Sequence, residues 1–267
     1  SWNSASATSH YNSETGEWET VSGLVLFTVN RTTGKITFDT APAASTIQPS
    51  NVTITIYKVN EDARDAILTS RCVTVYNGSV SSTGGGYLAV VCGGPPAQPN
   101  AYFWSGSSSD AGFDPTYFPF DYYNYAGASA EEAVIGFGKQ QSMLVIFKER
   151  SIGKSYFSVE TIDDTEYLKL PYTAVNETSG CYIEKSILLF QNNLIFANKE
   201  GGVYVLLDTT AYGENTVKRL SRNINGEPSD ERGLLYDLRQ VASTGITAFD
   251  DGQRYWITAN EHAYLYD

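Results

Sequence analysis

Hydrophobic and polar residues alternate over short runs along most of this chain, and four segments share one layout of such runs. Each segment has an apolar run rich in β-branched or aromatic residues, a tight polar turn and a second apolar run. The segments are CVTVYNGSVSSTGGGYLAVVCGG at 72–94, IGFGKQQSMLVIFKERSIGKSYFSV at 135–159, SILLFQNNLIFANKEGGVYVLLD at 186–208 and GITAFDDGQRYWITANEHAYLYD at 245–267. Short apolar runs separated by polar turns predict an all-β fold.

The four segments recur at a regular spacing. Their second apolar runs are centred near Val90, Ile146, Ile195 and Trp256. Repeats of roughly 50 to 60 residues built from antiparallel strands are typical of β-propeller blades. We therefore predict propeller-like blades over residues 63–267, and a complete or a partial set of blades both stay open. The chain lacks an initiator methionine and ends directly after a predicted strand, so we expect a piece of a longer protein.

Two further parts of the chain depart from the repeat. Residues 1–62 begin with a polar stretch, for which we expect poor order. GLVLFTVN at 23–30, KITFDTAP at 35–42 and NVTITIYKV at 51–59 then predict a small additional β lobe, with a hairpin turn at 31–34. A helix is predicted only at 227–241, where three leucines share one face.

A proline- and aromatic-rich segment at 93–129 separates the first repeat from the second. A long loop of this kind is either functional or packed tightly on its neighbours. Two interpretations stay open, because its aromatic side chains could be core residues or an exposed patch that contacts a partner or a glycan. The candidate contact residues are Tyr102, Trp104, Tyr117, Phe118, Tyr122 and Tyr123.

The acidic composition narrows the range of partners. The 267 residues include 18 Lys and Arg against 30 Asp and Glu, which gives a formal net charge of −12. Such a surface repels phosphate backbones, so no nucleic-acid partner is expected. Lys148, Arg150 and Lys154 form only a local cluster, which we interpret as a solvated strand edge. No apolar run is long enough to cross a membrane, so no membrane partner is expected.

The three cysteines do not predict a disulfide framework, because their number is odd in a chain of this length. Cys72 and Cys92 lie in neighbouring predicted strands and could face each other. Buried free thiols are the favoured interpretation, since free cysteine packs as a small hydrophobic residue. Synthesis in a reducing compartment fits this pattern.

Reactive chemistry has few candidate residues. His10 and His262 are the only histidines, which gives little support to a Ser-His-Asp set or a zinc site, and no cofactor or metal is expected. SSSDAGFD at 107–114 and Asp163–Asp164 offer oxygen ligands for calcium, but without EF-hand spacing. Glycoside hydrolysis needs two carboxylates. Most candidates lie in predicted turns: Asp110, Asp114, Asp121, Glu131, Glu132, Asp163, Asp164, Asp250 and Asp251.

The stretch DDGQRYW at 250–256 partly resembles the Asp-box turn of sialidase-type propellers. Ala248 stands where that pattern has serine or threonine. Since the Asp box is a structural turn, the resemblance supports a hairpin and gives no indication of activity.

A set of motifs in fixed order resembles a known class of proteins. The motifs are TGKITFDTAP, NVTITIY, LAVVCGG, PNAYFWSG, DPTYFP, AVIGFGKQQSMLVIFKERSI, NNLIFANKEGGVYVL and SRNING. The set covers most of the chain and resembles virion structural proteins of tailed bacteriophages and of prophages in Gram-positive gut bacteria.

The resemblance implies a propeller-type component of the tail or neck, similar in style to packaged-DNA stabilisation and tail-accessory proteins. It implies no enzyme activity and supplies no catalytic residues. The expected partners are other virion subunits, with homo-oligomers in the particle, after synthesis in the cytoplasm of a bacterial host. The alternatives are a carbohydrate-binding module, which would use the aromatic segment to recognise a host-surface glycan, and a glycoside hydrolase.

Overall fold

The structure is a computed structural model of the chain. It describes residues 10–12, 17–19, 27–30, 35–38, 60–79, 86–108, 112–113, 117–128, 131–162, 165–207, 217–226 and 232–267. The chain divides into two compact units, Ser1–Lys58 and Val59–Asp267.

The first unit contains two hairpins within its described residues. β1 (His10–Asn12) pairs antiparallel with β2 (Glu17–Glu19), and β3 (Phe27–Asn30) pairs antiparallel with β4 (Lys35–Phe38). The second hairpin is the one expected from the alternating pattern. The turn predicted at 31–34 and the strand predicted at 51–59 lie outside the described residues.

The second unit is built mainly from four antiparallel sheets, which follow one another along the chain. Sheet I contains β5 (Cys72–Ser79), β6 (Gly86–Gly93), β7 (Ala101–Trp104) and β10 (Tyr123–Tyr125). Sheet II contains β11 (Val134–Gln140), β12 (Met143–Lys148), β13 (Ile152–Ser155) and β16 (Thr173–Asn176). Sheet III contains β17 (Leu188–Phe190), β18 (Asn193–Asn198), β19 (Gly202–Leu206) and β20 (Val217–Arg219). Sheet IV contains β21 (Thr247–Asp250), β22 (Tyr255–Ala259) and β23 (His262–Tyr266).

Two hairpins are inserted within sheets I and II, and several helical elements precede or connect the sheets. The hairpins are β8 (Ser107–Ser108) with β9 (Gly112–Phe113), and β14 (Ser158–Ile162) with β15 (Thr165–Lys169). The helical elements are α1 (Glu61–Leu68), α2 (Leu234–Gln240) and 3-10 turns at Glu184–Ser186, Ser221–Asn223 and Ser243–Gly245.

The prediction of an all-β fold is confirmed, and each of the four sequence repeats supplies the leading strands of one sheet. Tight turns explain the regularity of the repeats. Gln191 and Asn192 both have positive φ between β17 and β18, and Asn260 and Glu261 do so between β22 and β23. Two successive positive φ angles define a type I′ turn, whose twist matches that of the strands it joins.

Successive sheets pack face to face with an apolar core between each pair. Strand β12 shows the arrangement, because its side chains alternate between two cores. Leu144 and Ile146 belong to the core shared with sheet I, whereas Val145 and Phe147 belong to the core shared with sheet III. A third core lies between sheets III and IV and includes Ile195.

The first strands of consecutive sheets are also neighbours. β11 contacts β5 on one side and β17 on the other, and β17 contacts β21. The leading edges of the four sheets therefore run side by side in chain order, and the later strands of each sheet extend away from them.

The two α-helices differ from the sequence expectation. α1 was not predicted, although Asn60 caps it by accepting a hydrogen bond from the Ala63 backbone N–H at 3.2 Å. Its Ala66 and Ile67 pack on a small cluster that includes Cys92 and Phe103. α2 spans only part of the helix predicted at 227–241, and residues 227–231 lie outside the described part.

Replacing Phe196 by alanine should remove a large side chain from the core between sheets II and III. Its ring is fully buried, with its centroid 5.1 Å from that of Phe147 and 5.6 Å from that of Tyr204. We expect Phe196→Ala to lower the free energy of unfolding by about 3 to 5 kcal/mol. Leu189→Ala, at a half-exposed position, should cost about 1 kcal/mol or less. Urea denaturation measures both free energies of unfolding, and equal losses of stability would contradict the assignment of Phe196 to the core.

Candidate functional site

Three of the six candidate aromatic residues tie the β14–β15 hairpin and the segment after it to sheet I. Tyr102 and Trp104 are buried in β7, with 0% and 1% of their surface exposed. The Tyr102 hydroxyl donates to the Leu170 carbonyl at 2.5 Å, and the Trp104 indole N–H donates to the Leu168 carbonyl at 3.2 Å. The Tyr122 hydroxyl accepts from the Leu168 N–H at 3.2 Å. The hydroxyl of Tyr102 and the indole N–H of Trp104 are hydrogen-bonded to backbone carbonyls, and both rings are buried. Neither ring therefore presents a face to a ligand.

Of the other three candidate residues, one is packed against a cluster and two are exposed. Phe118 packs on the small cluster beneath α1. Tyr117 and Tyr123 are 48% and 42% exposed, and Tyr123 meets Tyr125 edge to face at 5.8 Å. We call the exposed residues Tyr117, Phe120, Tyr123 and Tyr125 the aromatic rim. Phe120, at 74% exposure, and Tyr125 were not among the candidates.

An ion pair between a buried lysine and a half-buried glutamate lies where sheet II begins. The Lys148 ammonium is 2.8 Å from Glu132 Oε2, while Glu132 Oε1 accepts from the Arg150 N–H and the Ser151 hydroxyl, both at 2.8 Å. Burial alone would raise the pKa of Glu132, but these hydrogen bonds outweigh it and hold that pKa below its usual value. The interpretation of Lys148 as part of a solvated edge is wrong, because only 3% of this residue is exposed.

A buried carboxylate, Asp237 of α2, is missing from the carboxylates singled out in the sequence. It accepts hydrogen bonds from Asn260 Nδ2 and His262 Nδ1, both at 2.9 Å, and from the Tyr264 hydroxyl at 2.5 Å. Burial would raise the pKa of Asp237, but the bonds from Tyr264, Asn260 and His262 outweigh it, and the pKa lies below its usual value. Burial, together with the hydrogen bond to the Asp237 carboxylate and its charge, raises the pKa of Tyr264.

Both carboxylates occupy one position in the architecture. Glu132 and Asp237 lie in the segments that lead into sheets II and IV. Each carboxylate accepts a hydrogen bond from a side chain at the end of the second strand of its sheet or in the turn after it. In sheet III the equivalent link is an amide. Asn198 donates to the Gly180 carbonyl at 3.0 Å and accepts from the Glu200 N–H at 2.7 Å. These contacts are best explained as structural ties.

The DDGQRYW turn forms the predicted hairpin. Asp250 Oδ1 accepts from the Gly252 N–H at 2.7 Å, and Asp251 Oδ1 accepts from the backbone N–H groups of Gln253 and Arg254. The Trp256 indole N–H donates to Asp251 Oδ2 at 2.8 Å. Hydrogen bonds to the charged carboxylate hold the pKa of Asp251 below its usual value, with that from Trp256 the largest.

All three cysteines are free and buried, as favoured from the sequence. Cys72 pairs with Gly93 and Cys92 with Val73, so the two thiols point to opposite faces of sheet I. Burial raises the pKa of Cys181 to about 11 and raises that of Cys72 and Cys92 as well. Thiols with a raised pKa are poor nucleophiles at neutral pH.

Of the remaining candidate carboxylates for catalysis or calcium binding, only some lie within the described residues. Asp121 lies 3.8 Å from Lys169, while Asp110, Asp114, Asp163 and Asp164 lie outside the described residues. Within the described ranges, no three histidine, cysteine or carboxylate side chains converge in a metal-binding group. The helices of the described residues include none with the length and apolar character needed to span a membrane.

Comparison with known proteins gives no relative: no family model matches the chain, and no curated protein matches it at a significant level.

Replacing Asp237 by asparagine should make stability less dependent on pH. Because the folded pKa of Asp237 is lowered, its carboxylate stabilises the fold fully above the unfolded value of about 3.9, and this contribution is lost as pH falls through the folded pKa. We expect Asp237→Asn to cost about 1 to 3 kcal/mol at pH 7.

The difference between wild type and Asp237→Asn should shrink as pH falls below about 4. Denaturant titrations at several pH values measure it. Glu261→Gln is the matched control, since it removes an exposed charge from the adjacent turn. A constant difference across the pH range would show that the Asp237 charge contributes no stability.

Proposed function

We propose that this chain is a non-enzymatic structural protein of a tailed-bacteriophage or prophage virion, located in the tail or neck. Its sheets act as propeller-like blades, and it works by assembling with other virion subunits, including further copies of itself. The observation that carries this proposal is the succession of face-packed sheets whose first strands run side by side. The ordered motif set adds the virion context.

The packing of the sheets suits such a role. Sheets II and III bury apolar residues on both faces, and backbone-directed hydrogen bonds from Tyr76, Tyr102 and Tyr255 join neighbouring elements. Close-packed interiors transmit force with little deformation. A unit of this kind supports loops and strand edges in fixed positions, which is what a subunit of a large particle requires.

Deleting the gene from its phage should give particles that are unstable or lack a functional tail. Mass spectrometry of purified wild-type particles should detect the chain as a structural component, and a plasmid copy should restore the mutant. Intact, infectious particles that form without the protein would refute the proposed role.

Carbohydrate binding is the second candidate, and the aromatic rim is the observation that favours it. Exposed aromatic faces stack on sugar rings, and the four rings of this rim are between 41% and 74% exposed. Tyr123 and Tyr125 lie on the edge strand β10 of sheet I. A glycan array should then show a ligand whose affinity falls several-fold in Phe120→Ser and Tyr123→Ser. Leu189→Ser, at an exposed position on sheet III, should leave binding unchanged. The absence of any array signal would eliminate this candidate.

A further inference from the structure

A cavity of about 210 Å³ lies between sheets III and IV. Its wall is formed by β19 of sheet III, by β22 and β23 of sheet IV, by the 3-10 turn at Ser221–Asn223 and by the first residue of α2. Most of the lining side chains are apolar or aromatic, and they include Val203, Ile224, Leu234, Tyr255, Ile257 and Tyr264. The cavity is therefore part of the contact between the two sheets and the segment that connects them.

Two tyrosine hydroxyls in the wall already have partners within the protein. The Tyr255 hydroxyl donates to the Ser186 carbonyl at 3.1 Å, and the Tyr264 hydroxyl donates to Asp237 Oδ2 at 2.5 Å. Burial raises the pKa of both tyrosines, so both remain uncharged at neutral pH. None of the described lining residues carries a charge. An ion placed here would lose its hydration without gaining a counter-ion, so the wall favours an uncharged ligand.

The volume of the cavity limits the size of that ligand. An apolar cavity of about 150 Å³ holds a benzene molecule. The cavity of about 210 Å³ therefore accommodates a single ring with one or two small substituents. The lining also suits a ring, because Tyr255, Tyr264 and Tyr266 present aromatic groups to the cavity, and aromatic rings attract one another in offset or edge-to-face arrangements.

We propose that the cavity between sheets III and IV binds a small uncharged ring compound, which buries its apolar surface against both sheets. This inference goes beyond the assembly role, since it concerns a ligand held within one copy of the chain. A substituted benzene of fewer than about ten non-hydrogen atoms should bind with a Kd of about 0.1 to 1 mM.

The probe is 4-methylbenzyl alcohol, whose binding is measured by nuclear magnetic resonance on the isotope-labelled protein. We expect nuclear Overhauser contacts from the ring protons of the probe to the methyl groups of Ile224, Leu234 and Ile257, which line the cavity. The matched anion 4-methylbenzoate has nearly the same shape. It should bind about ten-fold more weakly or less, because its carboxylate would lose hydration in an uncharged cavity.

A pair of tryptophan variants tests the location from the side of the protein. Ile224 is 42% exposed, so Ile224→Trp can place its larger side chain in the cavity without replacing a fully buried residue. We expect this variant to weaken binding of the alcohol about ten-fold or more. The matched control is Leu189→Trp, at a position that is 49% exposed and lies outside the lining. It should change the Kd less than about two-fold.

The inference is overturned if the alcohol does not bind at concentrations up to about 10 mM, or if its Overhauser contacts lie at other residues. It is also overturned if the anion binds as tightly as the alcohol, or if both tryptophan variants weaken binding equally. If Ile224→Trp does not fold, the Overhauser contacts and the comparison with the anion still decide. None of these measurements depends on the virion experiment, so the two proposals fail separately.

Discussion

The fold of the second unit depends on the burial of both faces of sheets II and III. Successive residues of a strand point to opposite faces, so Leu144 and Val145 enter different cores. Strand β18 repeats this arrangement, because Leu194 faces sheet II and Ile195 faces sheet IV. A sheet that is apolar on both faces needs a neighbour on each side. This requirement explains why sheets II and III each lie between two other sheets.

Stacking the sheets brings polar groups to the border of an apolar core at one place in each of sheets II, III and IV. The segment that enters a sheet crosses the end of its second strand at the border of an apolar core, where unpaired polar groups are costly. Sheet II satisfies them with the Glu132–Lys148 ion pair, sheet III with the Asn198 amide, and sheet IV with the Asp237 carboxylate. Because an ion pair, an amide and a carboxylate satisfy the polar groups in the three sheets, the three positions share no residue type. The sequence repeat is therefore clear within the strands and weak at the strand ends.

Sequence patterns predicted the elements that depend on local alternation and missed those that depend on distant contacts. The strands of all four repeats are present, since their side-chain period and turn residues are local properties. Helix α1 was missed because its apolar face is small, although Asn60 and the acidic first turn are cap signals. Asp237 was missed because its partners are more than twenty residues away in sequence. The burial of Tyr102 and Trp104 likewise depends on carbonyl groups more than sixty residues distant.

Within the described residues, sheet IV packs against another sheet on one face only, unlike sheets II and III. Tyr255 and Ile257 are buried against sheet III, while Phe249, Trp256 and Leu265 form a cross-strand row on the opposite face. Phe249 and Leu265 are nearly half exposed, and the Phe249 and Trp256 rings are parallel to within 4°. Acidic residues in and beside the turns of sheet IV add to the net charge of −12. In the part of the chain that the structure describes, the outer face of sheet IV therefore carries a partly exposed apolar row, whereas both faces of sheets II and III are buried.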